Sequence, residues 1–218
     1  MCGRFAVTLP TDAMAQLFQA APANDLPPVP NYNVCPTTQV HVVSLANGTR
    51  RLGAMRWGFL PHWYNSPTDG PLLINARAET IAEKPAFRAA CRERRCIVPI
   101  SGFYEWTRDG DVKLPWYITR RDGAPMALAG VWQAWGPDQA PSCAVVTTAA
   151  NTPMARIHHR IPVNLEQADW GKWLGEEGKG AARLMHAPAD DVLDFVRVDV
   201  AVNSNRASGP QLIEPLAV

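Results

Sequence analysis

The sequence is short of lysine. Its 21 basic residues comprise four lysines (Lys84, Lys113, Lys172 and Lys179) and are otherwise arginine, and 20 acidic residues balance them to a net charge of +1. That balance excludes the bulk positive field with which many nucleic-acid binders gather their ligand. The arginine bias keeps a narrower route open, because guanidinium groups fork onto phosphates and stack on bases. A compositional bias accompanying the many alanines and prolines would give the same count. No run of about 18 apolar residues occurs, which excludes a transmembrane helix. No basic stretch followed by an apolar one opens the chain, so it reads as cytoplasmic without a signal peptide. Five cysteines (Cys2, Cys35, Cys91, Cys96 and Cys143) are odd in number and irregular in spacing, which speaks against a disulfide framework. Cys91 and Cys96 have no second close pair to complete a zinc site. A glycine-rich phosphate loop, an HExxH helix and a Gly-x-Ser-x-Gly elbow are all missing, and no metal or cofactor is expected.

What is present is a well-packed chain. With 218 residues, 47% hydrophobic and 19% charged, it suits one domain spanning 1–218 with a substantial core. Residues 11–20 have the spacing of a short amphipathic helix with Thr11 as N-cap. The five prolines within 21–36 predict an ordered extended loop. Segments 40–45 and 51–59 flank Asn47-Gly48, a strong hairpin signal, and 61–71 is a loop rich in proline, glycine and aromatics. Pro85 suits the first turn of a helix reaching about residue 94. Strands are expected over 96–107, 114–120, 126–135 and 142–148, with turns at Asp109-Gly110 and Asp122-Gly123. Asn164-Leu165-Glu166-Gln167 has the form of a capping box for a helix stopping near Gly175, and a last strand is expected over 196–202. The pattern is that of a single α+β domain dominated by antiparallel strands.

Four segments set polar groups among hydrophobic ones. They are Leu73-Ile74-Asn75-Ala76-Arg77-Ala78-Glu79-Thr80, Gly102-Phe103-Tyr104-Glu105-Trp106, Thr147-Thr148-Ala149-Ala150-Asn151 and Ile157-His158-His159-Arg160-Ile161-Pro162. Glu105 is the sharpest. It either faces solvent from its strand or sits in a low-polarity pocket with a raised pKa suited to acid–base work. Alternation does not separate the two, because Phe103, Tyr104 and Trp106 leave no polar face. His158 and His159 point opposite ways in an extended segment, so one of them at most joins a given site. Asn75 reads equally as a buried structural hydrogen-bonder, and Arg77 as a surface charge.

Cys2 carries the most chemical information. Removal of Met1 would give it a free α-amine next to its thiol, a pair that condenses with an aldehyde to a Schiff base and then closes a five-membered thiazolidine ring. With a pKa of about 7.7–8.0 against about 10.4 for lysine, that amine is far more often neutral at pH 7. In isolation the feature is equally consistent with a chain start of no chemical consequence.

Taken in order, Met1-Cys2-Gly3-Arg4-Phe5, Tyr32-Asn33-Val34 before Pro36, and Trp57-Gly58-Phe59 with Pro61 and Trp63 form one set. Asn75 to Thr80, Arg95-Cys96-Ile97-Val98-Pro99, Gly102 to Trp106, Ala129-Gly130-Val131-Trp132, Ile157-His158 with Arg160 and Pro162, and Val202-Asn203 continue it. Over nearly the whole chain this set resembles the SOS response-associated peptidase (SRAP) family of abasic-site processing proteins. The resemblance implies a mainly antiparallel, barrel-like β core with a few peripheral helices. It also implies covalent crosslinking of Cys2 to abasic sites in single-stranded DNA, in the DNA damage response, by a monomer that joins the nucleoid when bound. Cys2, Asn75, Glu105 and His158 match the family's active-site positions. Arg4, Arg77 and Thr147 match positions expected to hold the DNA backbone, and Trp63 and Tyr64 fall in the loop expected to support unstacked bases. Where the family commonly has Asp after its histidine this chain has His159; His158 is taken as the site residue. Two other functions stay open: a Cys2-dependent peptidase or autopeptidase with His158 as base, and a non-catalytic single-stranded nucleic-acid-binding module.

Overall fold

A computed structural model describes residues 2–216. In chain order its elements are β1 (Phe5–Val7), α1 (Thr11–Phe18), β2 (Ala21–Pro22), β3 (Asn31–Val34), β4 (Gln39–Ala46), β5 (Thr49–Trp57), β6 (Asn75–Arg77) and α2 (Pro85–Glu93). They continue as β7 (Arg95–Ile100), β8 (Gly102–Asp109), β9 (Val112–Arg120), β10 (Met126–Trp135), β11 (Ala140–Ala149), α3 (Thr152–Ala155), β12 (Arg160–Pro162), α4 (Trp170–Leu174) and β13 (Leu193–Arg197).

The strands form two sheets. The larger runs β12-β11-β10-β7-β4-β5-β2, with β6 on β11. A parallel contact, Ser142↔Arg56 and Cys143↔Trp57, joins β11 back to β5. The strands β5, β4, β7, β10 and β11 therefore close into a ring, antiparallel at every join but that one. Closure removes the open edges that an unpaired strand would leave at β5 and β11. The smaller sheet runs β13-β9-β8-β1-β3, antiparallel throughout. The molecule is thus a single compact α+β unit with a mainly antiparallel core.

The smaller sheet is buried on both faces. Phe5, Phe103 and Ile118 join the main core with Trp57, Phe59, Ile97 and Trp173. Their sequence neighbours Ala6, Tyr104 and Tyr117 pack on the opposite face with Val198, Val202 and Leu212. A strand covered on both sides loses the polar/apolar alternation of a half-exposed one, which is why 102–106 has no polar face. Since side chains alternate along a strand, Glu105 shares the face of Phe103 and points into the main core.

Several sequence expectations need correction. Thr11 is the first residue of α1 rather than its cap, since Pro10 holds the cap position and no side chain bonds there. The single strand expected over 96–107 is two strands: β7 belongs to the ring and β8 to the smaller sheet, and Ser101 between them accepts a bond from the Thr8 amide. The proline-rich 21–36 contains β2 and β3. Asn164 does not open a capping box, because its Oδ1 accepts the Ala127 amide and ties the segment to β10 instead. The helix it was to open begins as a 3-10 turn and ends where Gly175 takes a φ of 100°, as a C-terminal glycine can. The last strand ends at Arg197, and residues 200–203 form a 3-10 turn.

Gly102 marks the tightest approach of β8 to β9. A Cβ there would lie 2.5 Å from Tyr117 Cζ and 2.7 Å from the Ile118 carbonyl oxygen. Because the second of these is backbone, it cannot rotate away. Gly102→Ala is expected to lower stability by about 1–3 kcal/mol, the usual cost of overpacking, read as a lower urea midpoint.

Candidate active site

The site forms where the chain start meets β8, β6 and the turn before β12. β1 pairs with β8 as Phe5↔Phe103 and Ala6↔Gly102, and the Tyr104 amide donates to the Arg4 carbonyl at 2.9 Å. Continued two residues beyond Phe5↔Phe103, this register sets Gly3 opposite Glu105 and so carries Cys2 past that carboxylate. Cys2 is 1% exposed and Glu105 3%. Asn75, the first residue of β6, donates from Nδ2 to the Cys2 carbonyl oxygen at 3.0 Å. Its Oδ1 is buried with no bonding partner among the described residues. β6 runs parallel to β11, matching Asn75 with Val145 and Arg77 with Thr147.

His158 arrives from the far side of β11. The single turn of α3 ends in bonds from the Ile157 and His158 amides to the Met154 carbonyl, both at 2.9 Å. The two histidines are therefore not in extended chain: their rings stack with centroids 4.4 Å apart at 27°. This corrects the expectation that they point opposite ways. The next residue enters β12, and the Arg160 amide donates to His158 Nδ1 at 3.0 Å.

Electrostatics tie these groups together. Burial, reinforced by the negative charge of Glu105, pushes the Cys2 thiol far up. Burial lowers His158, while the same Glu105 charge opposes that shift. The carboxylate thus acts on both groups, and the thiol and imidazole are each driven toward the neutral form.

The DNA-facing candidates divide. Arg77 is exposed on β6. Trp63 is 47% exposed, edge-on to His62 and Tyr64. Its loop is braced by Asp69, which accepts the Asn65 and Ser66 amides, and by Trp135, which donates to the Tyr64 carbonyl. A Phe59↔Leu73 bridge closes the loop two residues ahead of Asn75. Thr147 is wholly buried. Arg4 is buried too, donating to Asn33 Oδ1 at 2.6 Å and the Val202 carbonyl at 2.9 Å, and to Asn205, with Trp106 below its plane. In this structure it clamps the chain start to the C-terminal segment.

One pair was not singled out from the sequence. Glu79 and Arg160 form a two-pronged ion pair, with both N–O distances 2.8 Å, and Arg160 also donates to the Thr147 carbonyl at 2.7 Å. Arg160 holds the Glu79 carboxyl down to about 2. Both residues stand in quoted motifs, but their 81-residue separation gave no local signal of pairing.

Residues 1–205 match the family described as SOS response associated peptidase (SRAP). The chain belongs to the SRAP family. Relatives of this SRAP chain include abasic site processing protein YoqW of Bacillus subtilis, 35% identical over 98% of this chain and 99% of the relative. Abasic site processing protein YedK of Escherichia coli is 32% identical over 99% of this chain and 100% of its own. Among solved structures, a protein of Bacteroides thetaiotaomicron shares the SRAP chain's fold with a TM-score of 0.82 at 24% identity, covering 98% of this chain and 100% of that one. A phage-related protein of Bordetella bronchiseptica superimposes with a TM-score of 0.73 at 27% identity, covering 90% and 94%.

Proposed function

We propose that this chain processes abasic sites by linking itself to them, with Cys2 as the attached residue once Met1 has been hydrolysed away. The observation that carries the reading is the buried Glu105 carboxylate acting on both Cys2 and His158, with Asn75 holding the Cys2 carbonyl. Two curated relatives of nearly the same length are named abasic site processing proteins, which supports the same substrate here.

The chemistry balances without a cofactor. The ring-opened abasic sugar offers an aldehyde at C1′. The Cys2 amine adds to it, the carbinolamine loses water, and an imine forms. The thiol then adds across the imine: sulfur bonds to C1′ and its hydrogen goes to nitrogen. One aldehyde and one aminothiol give one thiazolidine and one water. Glu105 takes and returns the protons of ring opening and dehydration, and His158 serves as a second carrier. Asn75 orients the backbone, and its spare Oδ1 can accept from the new amine or a sugar hydroxyl. Closing the ring removes the imine that would otherwise permit β-elimination and strand breakage, so the adduct shields the lesion.

The protonation pattern favours this over a thiol peptidase. Such an enzyme lowers its thiol and raises its histidine to make a thiolate–imidazolium pair; here burial drives both the other way. Amine attack needs no thiolate.

The test is a denaturing gel of protein shown by intact mass to lack Met1, incubated with single-stranded DNA carrying one abasic site. A shifted band that survives denaturation is expected. Its absence would return the chain to the peptidase or binding-module reading.

For the DNA itself, Arg77 is the phosphate contact that needs no rearrangement, while Arg4 and Thr147 already serve protein partners. Trp63 offers a stacking face worth about 1–3 kcal/mol per base and a wedge against a continuing duplex. Trp63→Ala is expected to narrow the preference for single-stranded over duplex abasic substrates, compared as crosslinking rates. An unchanged ratio would remove the loop from strand selection.

A further inference from the structure

Arg160 touches His158 through its backbone and Glu79 through its side chain. The guanidinium is nearly buried. Its Nη1 and Nη2 bond to the two carboxylate oxygens of Glu79, and Nη2 also bonds to the Thr147 carbonyl on β11. Thr148 Oγ1 reaches the same carboxylate at 3.4 Å. This clamp joins the segment after β6 to β11 and to the first residue of β12. That first residue is the one whose amide donates to His158 Nδ1 at 3.0 Å, with its carbonyl oxygen 3.3 Å from the same nitrogen.

An Nδ1 that accepts an N–H bond carries no proton in the neutral ring, so the proton of neutral His158 sits on Nε2. We propose that Glu79 is a positioning residue for the reaction: by clamping Arg160 it fixes the amide that holds His158 in the tautomer with Nε2–H. This rests on the reading above, in which His158 serves the proton steps, and it sharpens the division of labour there: Glu105 moves the protons and His158 donates a hydrogen bond. A neutral His158 presenting Nε2–H is a hydrogen-bond donor, suited to holding a departing oxygen while the proton itself is moved by a carboxyl group.

Among the described residues, the groups that bear on His158 include Glu105 from β8, the stacked His159, and the Glu79–Arg160 pair behind Arg160's backbone. Glu79 reaches the ring through that backbone.

The experiment compares wild type, Glu79→Gln and Glu79→Asp by the ring 15N and 1H shifts of His158 across pH. The first expected result is Nε2–H in the wild-type neutral ring. In Glu79→Gln the tautomers should mix and the titration midpoint should move, while the carboxylate of Glu79→Asp restores most of the wild-type signature. Crosslinking rates with abasic single-stranded DNA give the second readout. Glu79→Gln should slow the adduct about tenfold to a hundredfold, in line with misplacing a reacting group by a fraction of an ångström. It should add little further loss when combined with His158→Ala, because both changes remove one function. Unaltered His158 shifts in Glu79→Gln, or losses that multiply in the double variant, would overturn the proposal. The tautomer measurement decides it even if the wild type makes no adduct, so its failure and that of the crosslinking reading are told apart.

Discussion

Cys2→Ala is expected to give no protein–DNA band after denaturation, where the wild type is expected to convert abasic single-stranded DNA to a stable adduct. The alanine variant keeps the α-amine that forms the imine and loses only the thiol that closes the ring. Its imine hydrolyses or eliminates, so the link does not last. Borohydride added during incubation should therefore rescue a band in Cys2→Ala, by reducing the imine to a secondary amine. The variant should remain folded, since removing one sulfur from the core costs about 1–2 kcal/mol. A full band without reductant would show that ring closure is not what makes the adduct stable. No band even with borohydride would show that the amine is not the first nucleophile. A residue retained ahead of Cys2 should act more severely than the alanine change, because the nitrogen would then be an amide and neither step could begin.

Glu105→Gln should slow adduct formation about 10²–10⁴-fold, the range for a lost general acid–base. The amide has nearly the same shape, so loss of rate reports the missing carboxylate and its charge rather than altered packing. The variant also removes the negative charge that opposes the burial-driven fall of His158. His158 then moves lower still, with the neutral ring more strongly favoured. For the wild type the sign is the same: burial takes His158 below its ordinary 6.5, so the ring is neutral at pH 7 and gains a proton only in acid. The rate should rise as pH climbs through the amine pKa of about 7.7–8.0, and this limb should persist in Glu105→Gln because it belongs to the amine. A variant as fast as wild type would reduce Glu105 to a structural group.

The pieces of this site were legible to very different degrees. The Asn47-Gly48 hairpin, the helix starting at Pro85, and β10 were readable because their signals are local: a turn dipeptide, a fixed φ, a run of apolar residues between turns. The failures share one cause. Asn164 was read as a helix cap because it stands three residues before a glutamine, yet its carboxamide bonds to β10, far away in sequence. The break at Ser101 is invisible locally because both flanking strands are apolar; only membership of two sheets makes them separate. His158 and His159 were placed on opposite faces by assuming extended chain, whereas the turn after α3 stacks them.

The sequence by itself determined the candidate chemistry. A thiol at Cys2, a carboxylate at Glu105, an amide at Asn75 and an imidazole at His158 are fixed by residue type, and their order along the chain marks the family. Tertiary structure decided which way each group faces and what holds it there. Glu105 points inward because β8 is covered on both faces, which periodicity within one strand cannot reveal. Arg4 is a clamp because Asn33, Val202 and Asn205 converge on it from distant segments. The Glu79–Arg160 pair exists because β11 lies between β6 and β12, so the residues that follow β6 and open β12 meet across it. Residue identity sets what a group can do to a proton. Its burial, partners and tautomer are properties of contacts between parts of the chain remote in sequence, and these come into being only when the ring of strands closes.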